Sequence, residues 1–341
     1  MCMLASSQPI MAKPDPVLVT LSTGKKLTEK LLDDLFVRPR RAVFEWSRVT
    51  GQTAQIRLAY PGQHLASAIT GVRGSGTAAR GIDLADGSEV KSCSRADQLG
   101  SCKECGSGIL PYQDACPICG SEKIARKTDS HWIFAIKSER ELEQYVEARR
   151  VVLILFDRPI EKPSRIRVRA WEVWPREARH KYFRWFVEDY FVNNFRAKRD
   201  NGLSPAPLNL HPLGFHFFMM NPVLVFEASI DNADSERASV EVNLLVDPTQ
   251  DRAILAPEPM PRSSIKRALL IELAAKADVG LVSGLTGIPR RDVAKLRASK
   301  GGLEALVAKI VNLDERARLL LPTPTPRIKR TASTYRRRTA G

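Results

Sequence analysis

Residues 82–92, IDLADGSEVKS, set apolar and polar side chains in alternation on either side of Asp86-Gly87, the signal of a β-hairpin. Loop length decides what that hairpin presents, because side chains alternate faces with period two. A two-residue loop at Asp86-Gly87 pairs Asp83 with Val90 and puts Asp83 on the face opposite Glu89 and Lys91. A three-residue loop, Ala85-Asp86-Gly87 with Gly87 left-handed, pairs Asp83 with Glu89 and gathers Asp83, Glu89 and Lys91 on one face. The second register is expected, because it leaves Ile82, Leu84 and Val90 together as core.

Two carboxylates and a lysine so arranged are the residue types of a phosphodiester-hydrolysing metal site. Asp83 and Glu89, with the Val90 carbonyl, can hold Mg²⁺ against a non-bridging phosphate oxygen while Lys91 positions the attacking water. The same residues could also be an ordinary cross-strand charge set on a surface hairpin.

The neighbouring segments supply context. TEKLLDDLFVRPRRAVFEWSRVTGQ repeats Leu31, Leu32, Leu35 and Phe36 at helical spacing, with Pro39 expected to divide it. A shorter helix is expected over 61–70, then a glycine-rich loop over 71–81. After the hairpin come HWIFAIK as a strand, SERELEQYVEARR as a helix, and VVLILFD as a strand apolar enough to be buried on both faces. Helix, hairpin, strand, helix, strand is the order of the PD-(D/E)XK nuclease core, an α/β (α+β) architecture. Glu45, on the preceding helix, is a candidate further acid beside the metal, against the plainer reading of a solvated helix face; His64 reads as a capping or packing histidine.

Beyond the core the expected organisation is an α+β extension over 161–258, with strands RIRVRAWEVW, PVLVFEASI and SVEVNLLVD around the long amphipathic helix REARHKYFRWFVEDYFVNNF. That helix could serve a dimer interface or be buried within the subunit. The divisions are therefore an arm over 1–27, the core over 28–160, the extension, a helical domain over 259–315 behind Pro257, Pro259 and Pro261, and a basic tail over 316–341. In the helical domain, VGLVSGLTGIPRRDVAKLRASKGG reads as a helix-turn-helix, with Arg290, Arg291, Lys295, Arg297 and Lys300 expected on the DNA-facing side of its second helix.

Inserted in the core at 99–124, Cys102-x-x-Cys105-Gly and Cys116-Pro-x-Cys119-Gly are paired knuckles ten residues apart. Two-residue spacing lets both thiolates of a pair reach one ion, and two pairs complete a tetrahedral all-sulfur shell for Zn²⁺. A closed shell has no position for water, so this zinc is expected to be structural. Lys103, Lys123, Arg126 and Lys127 put positive charge around it, and Cys93, outside the shell, reads as a buried or free thiol.

The formal net charge of +15 favours polyanionic partners, nucleic acid or an anionic surface. No segment has the run of about twenty apolar residues that spans a bilayer. The first residues lack the pattern of a secretory signal, so a cytoplasmic location with no membrane partner is expected.

TGQTAQIRLAYPGQHLASAITGVRGSGTAARGIDLADGSEVKSCSRADQ at 50–98, with the two cysteine pairs and HWIFAIK, resembles the MamI family of type II restriction endonucleases. The resemblance implies Mg²⁺-dependent double-strand cleavage by a homodimer at a palindromic, interrupted DNA site, with Asp83, Glu89 and Lys91 as the catalytic set and a methyltransferase sharing the site. Ile82 stands where the superfamily motif has proline. Two other readings remain: a modification-dependent or repair-type endonuclease of the same fold, and a zinc-ribbon and helix-turn-helix DNA-binding regulator without catalysis.

Overall fold

Two compact units organise the chain, which a computed structural model describes over residues 21–76, 82–110, 113–159 and 161–321. The expected arm, the end of the glycine-rich loop at 77–81 and the tail clusters beyond 321 lie outside the described residues.

The first unit takes the described residues up to Trp132 together with Glu143–Glu177 and Val223–Leu255. It opens with helix α1 (Leu21–Leu32), which runs through a π segment, Asp33–Val37, into α2 (Arg38–Thr50). Pro39 therefore does not divide the helix as expected. It sits in the first turn of α2, and the wider π register just ahead of it absorbs the missing amide hydrogen. Gly51 at φ +72 ends α2, and Gly71 at φ +67 ends α3 (Ala59–Thr70), each donating its amide to the carbonyl four residues back.

Five strands make the central mixed sheet: β1 (Glu89–Ser94), β6 (Val151–Asp157), β7 (Ile166–Val173), β9 (Val223–Asp231) and β10 (Ser239–Leu245), in that spatial order. β1 runs parallel to β6 at one edge, in register Glu89↔Val151 and Lys91↔Leu153, and the remaining pairs are antiparallel. β6 is buried along its whole length, as its unbroken apolar run predicts. Leu32 and Phe36 of α1 and its π segment, Leu65 and Ile69 of α3, and Leu84 and Val90 pack with Val152, Ile154 and Phe156 in one core cluster. Each such side chain contributes roughly 1.5–3 kcal/mol by leaving water.

Two strand expectations are corrected. HWIFAIK yields only β5 (Trp132–Phe134), which pairs with β8 (Leu208–Leu210) and not with the central sheet. β6 already has β1 on one side and β7 on the other, so the sheet has no position beside it for a third core strand. The strands expected in a separate extension after 160 are β7, β9 and β10 of this same sheet, which runs across that boundary.

The second unit comprises Ile133–Leu142, Ala178–Pro222 and the described residues from Ala256. Its aromatic helix α5 (Lys181–Tyr190) continues into a π segment, Phe191–Arg196. Phe183, Phe186, Val187 and Phe191 are buried within the chain, which favours the interior reading of this helix over an interface. Towards the C-terminal end of the described residues, helices α6 (Arg267–Lys276), α7 (Val279–Thr286), α8 (Arg290–Ala298) and α9 (Gly302–Lys309) pack around Leu270, Leu273, Val282, Val293 and Leu306.

Candidate active site and metal centre

The turn expected at Ala85-Asp86-Gly87 forms. The Gly87 amide donates to the Leu84 carbonyl at 3.0 Å and the Leu84 amide to the Ser88 carbonyl at 3.1 Å, with Gly87 at φ +86. Pairing stops there, so the expected two-stranded hairpin is corrected. Leu84 bridges antiparallel to Gly74, and the Glu89 amide turns to the Arg150 carbonyl at 3.0 Å. Asp83 reaches β1 by its side chain instead: Oδ2 accepts from the Val90 amide at 2.7 Å. Ile82, expected in the core with Leu84 and Val90, is 43% exposed.

Position along β1 explains the rest. Glu89 and Lys91 share one face by the period-two rule while Val90 enters the core. In a parallel ladder alternate residues bond the neighbouring strand, so with Glu89 bonded to β6 the Val90 amide and carbonyl both face the open edge, where Asp83 lies. Helix α3 closes this side. A Cβ at Gly62 would stand 2.7 Å from Ser92 Oγ, so only glycine lets α3 approach β1 so closely, and the Ser92 hydroxyl donates to the Leu58 carbonyl at 2.8 Å. That approach puts the Gln63 amide on Asp83 Oδ1.

Lys91 Nζ lies 2.7 Å from Glu89 Oε1, with the two side chains only 19% and 16% exposed. Burial pushes the Glu89 carboxyl up, Lys91 draws it down, and the neighbouring negative charge of Asp83 raises it further. Burial opposes the Lys91 ammonium more than any other single effect, but Glu89 and Tyr145 beside it together hold the group above its ordinary range. Lys91 is thus a donor as it stands, able to orient water or face a phosphate. Asp83, Glu89 and the Val90 carbonyl are hard oxygen donors, and two mutually repelling carboxylates at a desolvated edge fit a divalent cation. Glu45 is exposed on α2 and is not among the groups acting on Glu89. His64 lies on α3.

Asp86 does more than turn the chain. Its carboxylate, 1% exposed, accepts from Arg150 at 2.9 Å; Arg150 continues to Glu172 at 3.4 Å, and Glu172 also pairs with Arg252. Removing one member of a buried pair leaves its partner uncompensated, at about 3–5 kcal/mol. Asp86→Ala is therefore expected to lower the urea midpoint by an amount equivalent to about 3 kcal/mol, with Arg150 still able to lean on Glu172. A midpoint equal to that of wild type would show that the pair holds nothing.

The cysteines form a separate small core. Strands β2 (Gly100–Cys102), β3 (Gly108–Ile109) and β4 (Ile124–Ala125) make a three-stranded ribbon in which Cys102, Ile109 and Cys116 are buried together. The Sγ atoms of Cys102, Cys105, Cys116 and Cys119 lie within 4.8 Å of one another, with Cys102–Cys119 at 3.6 Å and Cys105–Cys116 at 3.5 Å. A tetrahedron with Zn–S bonds of about 2.3 Å has edges of about 3.8 Å, so the donor set fits zinc. Gly106 at φ +75 and Gly120 at φ +72 supply the two knuckle turns. The Ser107 hydroxyl, 2.9 Å from Cys116 Sγ, draws that thiol down to about 6, towards the thiolate a metal requires. Cys93 is buried on β1, where desolvation pushes its thiol up to about 12. Of the basic residues around the ribbon, Lys123 pairs with Glu104 at 2.7 Å and Arg126 donates to the Leu110 carbonyl at 2.9 Å, while Lys103 and Lys127 are exposed.

With this geometry in view, residues 45–263 match the model of a family described as MamI restriction endonuclease. The chain belongs to that family. It is 30% identical over 236 residues to the type II restriction enzyme MamI of Microbacterium ammoniaphilum, covering 66% of this chain and 68% of that protein. No solved structure matches. Membership in the MamI family makes the chain one of the restriction endonucleases, hydrolases that act on DNA. The matched segment takes in Asp83, Glu89, Lys91 and all four ribbon cysteines, and it ends before α6 to α9. Among the described residues no helix is long and apolar enough to cross a membrane.

In those C-terminal helices, α7 ends at Gly287, φ +71, and α8 begins after Pro289. Arg290, Arg291, Lys295 and Lys300 are exposed. Arg297 is not presented as expected. It donates to the Ala274 carbonyl at 2.8 Å and to the Ala277 carbonyl, satisfying the last turn of α6, because it follows buried Val293 by one helical turn.

Gln63, Tyr145 of helix α4 (Glu139–Val146), whose ring centroid lies 5.3 Å from Lys91 Nζ, and the Asp86–Arg150 contact escaped the reading of the sequence. Only Gly62-Gln63 left a signal, a glycine inside a helix, which marks close packing.

Proposed function

We propose that this chain is a type II site-specific deoxyribonuclease that cleaves both strands of a palindromic, interrupted DNA site with Mg²⁺. What supports the reading is that Asp83 accepts from the Val90 amide at the open edge of β1, on the strand that carries the paired Glu89 and Lys91. Asp83, Glu89 and the Val90 carbonyl hold the cation. When bound, Mg²⁺ supplies Lewis-acid polarisation of the phosphoryl oxygen and neutralises developing charge. Gln63 and the Val90 amide fix the Asp83 carboxylate, and Lys91 donates to the attacking water or to the scissile phosphate.

The site belongs with the PD-(D/E)XK type in its acid, Glu-x-Lys strand and flanking helix, although the first acid stands next to the isolated bridge at Leu84 and not on a full hairpin strand. Zinc in the four-cysteine ribbon is structural. Arg290, Arg291, Lys295 and Lys300 on α8 of a helix-turn-helix meet DNA, with Arg290 and Arg291 at the helix start where base edges are read. Two active sites related by a two-fold axis suit symmetric cutting, so the working form is a homodimer in the prokaryotic cytoplasm, beside a methyltransferase that protects the same site.

Purified protein incubated with unmethylated phage DNA is expected to give discrete fragments in Mg²⁺ and none in EDTA, and sequencing the ends maps the site. Cutting of methylated DNA alone would favour the modification-dependent enzyme, and binding without cutting of either DNA would favour the regulator.

A further inference from the structure

In the second unit a cavity of about 380 Å³ lies between α5 (Lys181–Tyr190) and the last described residues, Arg318 to Leu321. Its volume falls within the roughly 300–1,000 Å³ of small-ligand pockets. The lining carries four cations, Arg179, Lys181, Arg184 and Arg318, against one carboxylate, Glu188. Arg184 pairs with Glu188 at 2.9 Å and Arg179 with Glu315 at 2.6 Å, so the surplus charge rests on the other two. Lys181 is exposed and has no ion pair among the described residues. Arg318 is 2% exposed; its terminal nitrogens donate to the Phe218 and Glu258 carbonyls at 2.6 Å each, and its Nε has no hydrogen-bond partner among the described residues. Burial draws this guanidinium down to about 10. A buried cation that meets only carbonyls is short of a counter-charge. The start of α5, which no side chain caps and which has no acidic residue in its first turn, adds the positive end of the helix dipole.

The same lining offers an aromatic surface. Trp185 is half-buried, and the buried ring of Tyr182 braces it with centroids 5.1 Å apart, itself fixed by a 2.9 Å hydrogen bond between its hydroxyl and His216 Nδ1. Asn221, 3% exposed, donates to the Arg179 carbonyl at 2.8 Å and leaves Oδ1 without a partner among the described residues. An anion that carries a flat ring suits this combination. The chain beyond Leu321 does not supply one, since residues 322–341 hold six Arg and Lys and no Asp or Glu. We propose that this cavity binds a nucleotide, with its phosphate at Lys181 and the start of α5, where Arg318 lacks a counter-charge, and its base stacked on Trp185. Every base has a π face, so stacking of this kind admits all four. A free mononucleotide and a nucleotide turned out of a DNA strand both carry this chemistry. The cavity shares no residue with Asp83, Glu89 and Lys91, and the inference stands apart from how those residues act.

The test titrates the full chain in EDTA, by calorimetry, with each deoxynucleoside 5′-monophosphate, with inorganic phosphate and with the unphosphorylated deoxynucleosides. Wild type is expected to bind the monophosphate of any base. Lys181→Glu, at an exposed position, is expected to weaken that binding about tenfold or more by setting a like charge against the phosphate. Trp185→Leu, which keeps an apolar side chain and removes the ring, is expected to weaken it about tenfold. The unfolding midpoint of Lys181→Glu should equal that of wild type. DNA affinity of the two variants then assigns the source: a fall parallel to that for the mononucleotide means a nucleotide of DNA, and no change means a free one. No binding of any monophosphate at about 1 mM overturns the proposal, as does wild-type affinity in either variant, which would put the nucleotide elsewhere on the chain. Inorganic phosphate or a deoxynucleoside binding as tightly as the monophosphate overturns it too, because the cavity would then take an anion alone or a ring alone.

Discussion

Lys91→Ala is expected to bind the same DNA as wild type in EDTA and to cleave it in Mg²⁺ about a hundred- to ten-thousandfold more slowly, the range for loss of a positioned proton-transfer or water-orienting group. The ammonium is the sole cation within 2.7 Å of Glu89 among the described ion pairs, and it is the donor at an edge otherwise lined by carboxylates and a carbonyl. Its removal leaves Asp83 and Glu89 to bind Mg²⁺ without a partner for the attacking water. Glu89, relieved of the lysine but still desolvated and beside Asp83, would hold its proton more readily. Metal binding should therefore survive while the pH at which it sets in rises. Initial cleavage rates on supercoiled plasmid, with DNA affinity measured separately, check the expectation. Cutting within threefold of wild type, taken as about the resolution of a rate comparison, would remove Lys91 from the chemistry and return the Glu-x-Lys strand to an ordinary surface charge set.

Loss of the ribbon metal is the second large effect. Wild type is expected to carry one Zn²⁺ per chain by elemental analysis, and Cys116→Ser to carry none. Cys102, Ile109 and Cys116, with Ile124 against them, are too small a core to offset the ordering of this segment. Structural zinc contributes about 10–16 kcal/mol of apparent binding free energy in isolated zinc modules. Without it, limited proteolysis should nick the chain between 100 and 126, while the sheet, whose core cluster contains none of these residues, remains folded. Protease resistance of the metal-free variant across this segment would show that the ribbon stands on packing alone.

The two predictions probe features of different legibility. Four cysteines at two-residue spacing with glycine after each pair announce their geometry, because a tetrahedral thiolate shell tolerates few other arrangements; the ribbon is where its sequence puts it. The catalytic set was legible as residues, but the contacts around it were not. Asp86-Gly87 chose the three-residue turn as local chemistry dictates, yet the strand leading into it found Gly74 and not Glu89. Parallel pairing with β6, far along the chain, drew off the Glu89 backbone and left Val90 to meet Asp83 by a side-chain bond. Hairpin logic considers only the two arms beside a turn and cannot see that competitor.

Local periodicity by itself determined the helices of the first unit, the fully buried character of β6, the knuckles and the α7-turn-α8 spacing, since each depends on neighbours a few residues apart. Tertiary structure alone decided which strands share a sheet, that Ile82 is exposed, that Arg297 caps α6, and that Gln63 and Tyr145 close on Asp83, Glu89 and Lys91. Those outcomes turn on contacts between residues far apart in sequence, where burial and hydrogen-bond satisfaction select among partners that propensity leaves equal.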